Sequence, residues 1–199
     1  MEETIVFIDD GFLAKLSKYF GNGKYLKFNR IDFSKNFAGK QSLVCEKIFY
    51  YTAPPFQSEP PTKDEELRKK GHDNFVKKLS KSGEVIIREG RVQRLKIDGK
   101  FIYKQKAVDS LAIIDLMSIP LKYSNVKKII LVSSDSDFVP AVESLREFGV
   151  KTILYTYYEK RRDSNFSRSN ELIKCVDKYV LLTKEDFINA LLDKNKRKD

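Results

Sequence analysis

Apolar positions along the chain fall into short β-branched runs separated by helix-spaced stretches. Thr4 to Ile8 is a compact apolar run ending at Asp9-Asp10-Gly11. Phe12, Leu13, Leu16 and Phe20 then recur at helical spacing until Gly21. Val44 to Thr52 reads as a second strand, running into the loop Ala-Pro-Pro-Phe-Gln-Ser-Glu-Pro-Pro. Thr62 opens a charged helix to about Ser80, with Glu65 as its capping-box partner. From Glu84 to Tyr103 the pattern alternates and contains Asp98-Gly99, a hairpin signal. A helix from about Val108 to Tyr123 follows, then the strand Lys128 to Ser133. Next come the helix Phe138 to Phe148, stopped by Gly149, and the strand Val150 to Tyr155. A last strand near Tyr179 to Leu182 leads into a helix capped by Thr183 and a basic tail.

Strands alternating with helices predict an α/β fold whose central sheet is mostly parallel and covered by helices on both faces. A basic β-hairpin is inserted into it. No repeat or Gly/Ser linker divides the chain, so one domain is expected over 1–182, with a C-terminal helix and basic tail over 183–199. Sites in such sheets form outside the carboxyl ends of the strands. There the sequence places aspartates: Asp9 and Asp10 after the first strand, Asp135 and Asp137 after Ile129 to Ser133, and Asp109 opening the helix after the hairpin. No Gly-x-Gly-x-x-Gly follows the first strand and no Walker loop is present.

Composition narrows the chemistry. The chain has 199 residues with 38 Lys+Arg against 28 Asp+Glu, a formal charge of +10, which favours polyanions as partners. With His72 the one histidine, chemistry built on several histidines is excluded. Cys45 and Cys175 lack zinc-like spacing and read as reduced thiols. No apolar run approaches a membrane span, and the first residues lack the basic start and apolar core of a signal peptide, so a cytoplasmic protein without a membrane partner is expected. A homodimer is left open.

Aspartates converging at one sheet edge repel unless a cation intervenes, and hard divalent ions prefer such oxygen ligands. Mg²⁺ or Mn²⁺ held there can activate water and steady the developing charge of a phosphodiester transition state. Each aspartate also has a plainer role to offer: Asp9, Asp10, Asp109 and Asp137 all stand where a helix needs an N-cap. Asp115 differs. It is the polar residue of Leu-Ala-Ile-Ile-Asp-Leu-Met, needs a partner if buried, and lies about 120° around the helix from Asp109. It reads as a supporting residue or as half of a buried pair with a nearby base.

Phe-Ile-Asp-Asp-Gly-Phe-Leu resembles the first motif of NYN domains, particularly their LabA-like branch. Lys-Gln-Lys-Ala-Val-Asp-Ser-Leu-Ala-Ile-Ile-Asp resembles the second motif and Leu-Val-Ser-Ser-Asp-Ser-Asp-Phe-Val-Pro the third, with the resemblance spanning residues 4 to about 182. NYN domains belong to the PIN-like nucleases, whose known members are metal-dependent ribonucleases. The resemblance implies a PIN-like, Rossmann-like fold, an RNA substrate, and Asp9, Asp109, Asp135 and Asp137 as catalytic and metal-site residues, with Asp10 and Asp115 as possible support. Phe12 stands where many members have Asn, and Ala107 and Ser134 stand where Gly is usual.

Between Glu84 and Lys106 seven basic residues face three acidic ones, a local +4. Arg88, Arg91, Arg94 and Lys106 are the candidate phosphate contacts, Lys106 foremost because it lies three residues before Asp109. Lys160-Arg161-Arg162 and the basic tail 194–198 are further candidates, and Tyr50, Tyr51, Tyr155, Tyr157 and Tyr158 offer rings for stacking or for packing. The leading expectation is a Mg²⁺- or Mn²⁺-dependent endoribonuclease acting on RNA. A nucleic-acid-binding regulatory module with weak or no cleavage is the alternative, and a carboxylate–metal nuclease acting on DNA, single-stranded DNA included, is a third.

Overall fold

The computed structural model describes residues 1–160 and 166–192; Arg161, Arg162 and the basic tail 194–198 lie outside the described residues. Along the chain, β1 (Glu2–Asp9) leads to α1 (Asp10–Phe20) and α2 (Arg30–Lys40), then β2 (Leu43–Thr52), α3 (Lys63–Ser80) and β3 (Val85–Glu89). The pair β4 (Arg91–Ile97) and β5 (Lys100–Lys106) precedes α4 (Val108–Lys122) and β6 (Lys128–Val132). A 3-10 turn at Ser136–Phe138 opens α5 (Val139–Glu147). Then come β7 (Lys151–Thr156), α6 (Asn170–Cys175), β8 (Lys178–Leu181) and α7 (Lys184–Ile188).

Six strands form one sheet in the order β3-β2-β1-β6-β7-β8, every neighbouring pair parallel. This is a single α/β domain. The residues of β1 from Thr4 to Ile8 are buried, which is why the strand is an unbroken apolar run rather than an alternating one. Val6 and Ile8 pack with Leu13 and Leu16 of α1, Phe33 and Phe37 of α2, and Phe187 of α7. Ile5 and Phe7 pack on the other face with Ala112 and Leu116 of α4, Leu145 of α5 and Leu172 of α6. Among the described residues no helix is long and apolar enough to cross a membrane.

Several local features follow the sequence directly. Thr62 and Glu65 form the capping box of α3: the Glu65 amide donates to Thr62 Oγ1 at 3.3 Å and the Thr62 amide to Glu65 Oε2 at 2.9 Å. Asp98 and Gly99 adopt φ of 49° and 76° at the tip of the β4–β5 hairpin. That is the pair of left-handed residues a two-residue hairpin turn requires.

Three features depart from the pattern. The alternating stretch from Glu84 is not one hairpin: Val85–Glu89 adds to the edge of the main sheet beside β2, and the hairpin starts only at Arg91. Gly90 makes the break, because a Cβ there would sit 2.4 Å from the Lys106 carbonyl oxygen and 2.7 Å from Val108 Cγ2. Helix α2 is additional to the elements the apolar pattern predicts; it is marked by Asn29, whose Oδ1 accepts from the Ile31 amide at 3.0 Å, and by the i, i+4 pair Phe33 and Phe37. Short α6, capped by Ser169, is additional too.

Two side chains matter for stability. Ala107 is the N-cap of α4 at φ 67°, a left-handed conformation that costs an L-residue, and it makes no side-chain cap bond. Asp115, 2% exposed, accepts a two-pronged bond from Arg88 of β3, Nε at 2.8 Å and Nη2 at 2.7 Å, while the Tyr51 hydroxyl donates to it at 3.2 Å.

Ala107→Gly is expected to stabilise the fold by about 1 kcal/mol, read as a higher urea midpoint at unchanged slope. Arg88→Ala should destabilise by about 2–4 kcal/mol, because it leaves a buried carboxylate with one hydroxyl partner. Thermal unfolding of both variants checks the pair, and an Arg88→Ala protein as stable as the parent would show that the ion pair holds nothing together.

Candidate metal centre

The register of the central strands builds the site. Ile8 of β1 pairs with Val132 of β6, so Asp9 comes level with Ser133 at the carboxyl edge. Ser133, fully buried, donates its hydroxyl to Asp9 Oδ2 at 3.0 Å and accepts the Asp135 amide at 3.2 Å. One hydroxyl thus fixes the first and third aspartate segments against each other. Asp135 Oδ1 in turn accepts the Asp137 amide at 3.0 Å and caps the 3-10 turn.

Three of the expected carboxylates converge: Asp109, Asp135 and Asp137 each offer an oxygen within 4.8 Å of the others. Asp109, in the first turn of α4, and Asp135 are half-buried, and Asp137 is exposed. Burial raises the Asp109 pKa above the ordinary carboxylate value, and the charges of Asp135 and Asp137 raise it further. An all-oxygen donor set with like-charge strain suits a hard divalent cation.

Asp9 lies beside this group rather than within it. Its Oδ1 caps α1 by accepting the Phe12 amide at 3.2 Å. Burial pushes its pKa up to about 6 against the lowering effect of its Phe12 and Ser133 hydrogen bonds, and the neighbouring charges of Asp109 and Asp10 add to the rise. Capping therefore accounts for part of what Asp9 and Asp135 do. It does not account for Asp109 or Asp137, since the N-caps of α4 and α5 are Ala107 and Phe138 and neither makes a side-chain cap bond.

Other sequence candidates turn elsewhere. Asp10 accepts the Tyr50 hydroxyl and, at 3.0 Å, the Thr52 hydroxyl, both from β2. Asp115 pairs with Arg88, and Arg88 stands in β3 rather than in the hairpin. Arg91 lies across from Lys106 at the base of the hairpin, and both are exposed. Arg94 stacks its guanidinium over Phe56 and Phe101, 4.6 and 4.5 Å from the ring centroids. Tyr50, Tyr51 and Tyr155 are buried in the core.

Some residues at the site lie outside the candidate set that the sequence pattern defines. Ser133, which the pattern marks only as the end of a strand, is one. Gln105 of β5 reaches α1: a Cβ on Gly11 would meet Gln105 Oε1 at 3.3 Å and Asp9 Oδ1 at 3.2 Å, so Gly11 lets the hairpin base approach Asp9. An open cleft of about 600 Å³ runs from Asp9 and Asp135 to Arg168 and Asn170, with Lys15 along it. Pairing between distant loops carries no local sequence signal, so this wall could not be read in advance.

A solved structure of a Vibrio parahaemolyticus protein of unknown function is similar to this chain, with a TM-score of 0.57 and 19% identity over 94% of this chain and 95% of the other. At that identity the likeness speaks for the fold alone. No curated protein sequence matches. The NYN domain family model matches residues 12–183, a span that takes in the second and third motifs of the resemblance with Asp109, Asp135 and Asp137. The chain belongs to the NYN domain family.

Proposed function

We propose that the protein is a Mg²⁺- or Mn²⁺-dependent endoribonuclease. The observation that carries this reading is the convergence of Asp109, Asp135 and Asp137 at the carboxyl edge of a domain whose superfamily is PIN-like nucleases. Asp109, Asp135 and Asp137 would hold the ion, with Asp9 as a further ligand or as the group that fixes Asp135 through Ser133. When bound, such an ion polarises a phosphodiester and acidifies a water molecule.

The chain's own residues would do the rest. Ser133 keeps Asp9 and Asp135 in register. The exposed carboxylate of Asp137 can accept a proton from the attacking water or orient it. Lys106 and Arg91, side by side at the hairpin base, would neutralise phosphates next to the cut. Lys104, on the same face as Lys106, continues the basic row outward. His72 contacts Glu89 on β3, so attack by the ribose 2′-hydroxyl has no histidine pair to assist it.

Cleavage of single-stranded RNA should stop with EDTA and return with Mg²⁺ or Mn²⁺. Asp109→Asn should lower it about 100-fold or more. Fragments should carry 5′-phosphate and 3′-hydroxyl ends by mass spectrometry; cyclic phosphates, or cleavage surviving both EDTA and Asp109→Asn, would mean a different chemistry. If RNA binds and no metal brings cleavage, the protein is the binding module instead. Calorimetric titration of Mn²⁺ should weaken by at least about tenfold in Asp135→Asn.

The pH dependence has a definite sign. Asp9 titrates near 6 in the folded metal-free protein, above its ordinary 3.8, so the folded state binds this proton more tightly than the unfolded chain. Lowering the pH from about 7 towards 4 should therefore stabilise the apo-protein through this group, on the order of 1–2 kcal/mol, while weakening Mn²⁺ binding by proton competition. Asp9→Asn keeps the cap and should remove that part of the stability slope, as measured by denaturation at several pH values.

A further inference from the structure

The cleft extends beyond the aspartates of the proposed metal site. Its lining mixes charges: Asp9 and Asp135 from the strand ends, Lys15 and Phe12 of α1, and Arg168, Asn170 and Glu171 from the start of α6 and the segment before it. The hairpin follows β3 and its base reaches Gly11 through Gln105, while the cleft extends from Gly11, Asp9 and Asp135 towards the segment between β7 and α6. A polyanion gripped by the hairpin and crossing the aspartates therefore continues into the cleft.

We infer that this cleft is a nucleotide-binding subsite, taking one unpaired nucleoside monophosphate unit of the strand on the side of the aspartates opposite the hairpin. The inference rests on the nuclease reading only for the continuity of the strand; binding in the cleft needs neither metal nor turnover. Its volume of about 600 Å³ lies within the range of sites for small organic ligands. A duplex with its bases stacked inside is far too wide for it. Arg168 supplies the recognition surface. Its guanidinium carbon lies over the Tyr158 ring, 5.1 Å from the centroid, and the side chain is exposed, so a base can stack on it from the solvent side. Asn170, exposed at the start of α6, carries an amide suited to a base edge, and Lys15, whose ammonium lies over the Phe166 ring 4.9 Å from its centroid, adds positive charge along the cleft. The carboxylates lining the cleft would repel inorganic phosphate in the absence of metal, whereas a nucleotide can enter base first and keep its phosphate away from them. A unit with a base should therefore bind better in the absence of metal than inorganic phosphate does.

The test is titration of the full chain, in EDTA, with adenosine 5′-monophosphate, uridine 5′-monophosphate and inorganic phosphate, followed by NMR or calorimetry. Saturable binding of at least one nucleotide, several-fold tighter than phosphate, is expected. Arg168→Ala should weaken it at least fivefold. Arg168→Lys should recover little, because it restores the charge and not the plane. Lys151→Ala, which removes an exposed positive charge at the opposite end of β7, should leave it unchanged. Matching thermal unfolding of the variants excludes misfolding. With RNA, affinity in EDTA should favour a single strand over the same sequence in a blunt duplex, and Arg168→Ala should erase that preference.

No saturable nucleotide binding, phosphate binding as tightly as nucleotide, or equal losses in Arg168→Ala and Lys151→Ala would overturn the subsite. Nucleotide binding without RNA cleavage under any metal would sink the nuclease reading and leave the subsite standing. Cleavage by a protein that fails the nucleotide titration would do the reverse.

Discussion

Asp109, Asp135 and Asp137 belong to segments that the core presses together: α4 packs against α5 and against the 3-10 turn between β6 and α5. Their carboxylates stay close although they repel. Two unit charges about 5 Å apart cost roughly 3 kcal/mol at an effective dielectric near 20. Burial of Val108 and Leu116 on one side and of Phe138 and Val142 on the other offsets this, at roughly 1.5–3 kcal/mol per side chain. The sheet and its helices are thus the source of the site's electrostatic strain, and a divalent cation or a proton is the means of relieving it.

Six aspartates stand near this edge or on the helix that leaves it, and their environments divide them. Asp115 is buried and neutralised by Arg88. Asp10 is tied to the hydroxyls of Tyr50 and Thr52. Asp9 and Asp135 do double duty, each capping a turn with one oxygen. Asp109 and Asp137 cap neither of the helices they adjoin. Proton affinity follows the same division: burial lifts Asp9 to about 6 and raises Asp109. A carboxylate that no helix end requires, held among others, is the one whose presence is hardest to explain without a ligand.

Much of this was legible in the chain because local pattern and tertiary role coincide. The apolar run Thr4 to Ile8 can only be a strand buried on both faces, and the run at Ile129 to Val132 is its natural neighbour, so Asp9 and Asp135 meet at one edge. What stayed hidden depends on chain segments far apart in sequence. Arg88 and Asp115 are 27 residues apart and look like a hairpin base and a helix acid until β3 joins the sheet beside β2. Gly90 looked like any residue in an alternating run, yet the close approach of Lys106 and Val108 is what ends β3 there. Ala107 carries the opposite lesson: the resemblance expects glycine at that position, and the left-handed φ gives the physical reason.

The charge of the whole molecule and of the site have opposite signs, and this sets an order of events. A surplus of ten positive charges draws a polyanion from a distance of about a Debye length. At contact, the exposed bases of the hairpin favour phosphates while the bare aspartates beside them disfavour the same strand. A cation at the aspartates changes the second interaction from repulsive to attractive and leaves the first untouched. On the proposed function, metal and nucleic acid would be linked ligands, each raising the affinity of the other by an equal factor. On that same function, the acidic edge that makes the free protein hold its protons tightly would weaken a strand's hold across the aspartates without metal, and a bound cation would strengthen it.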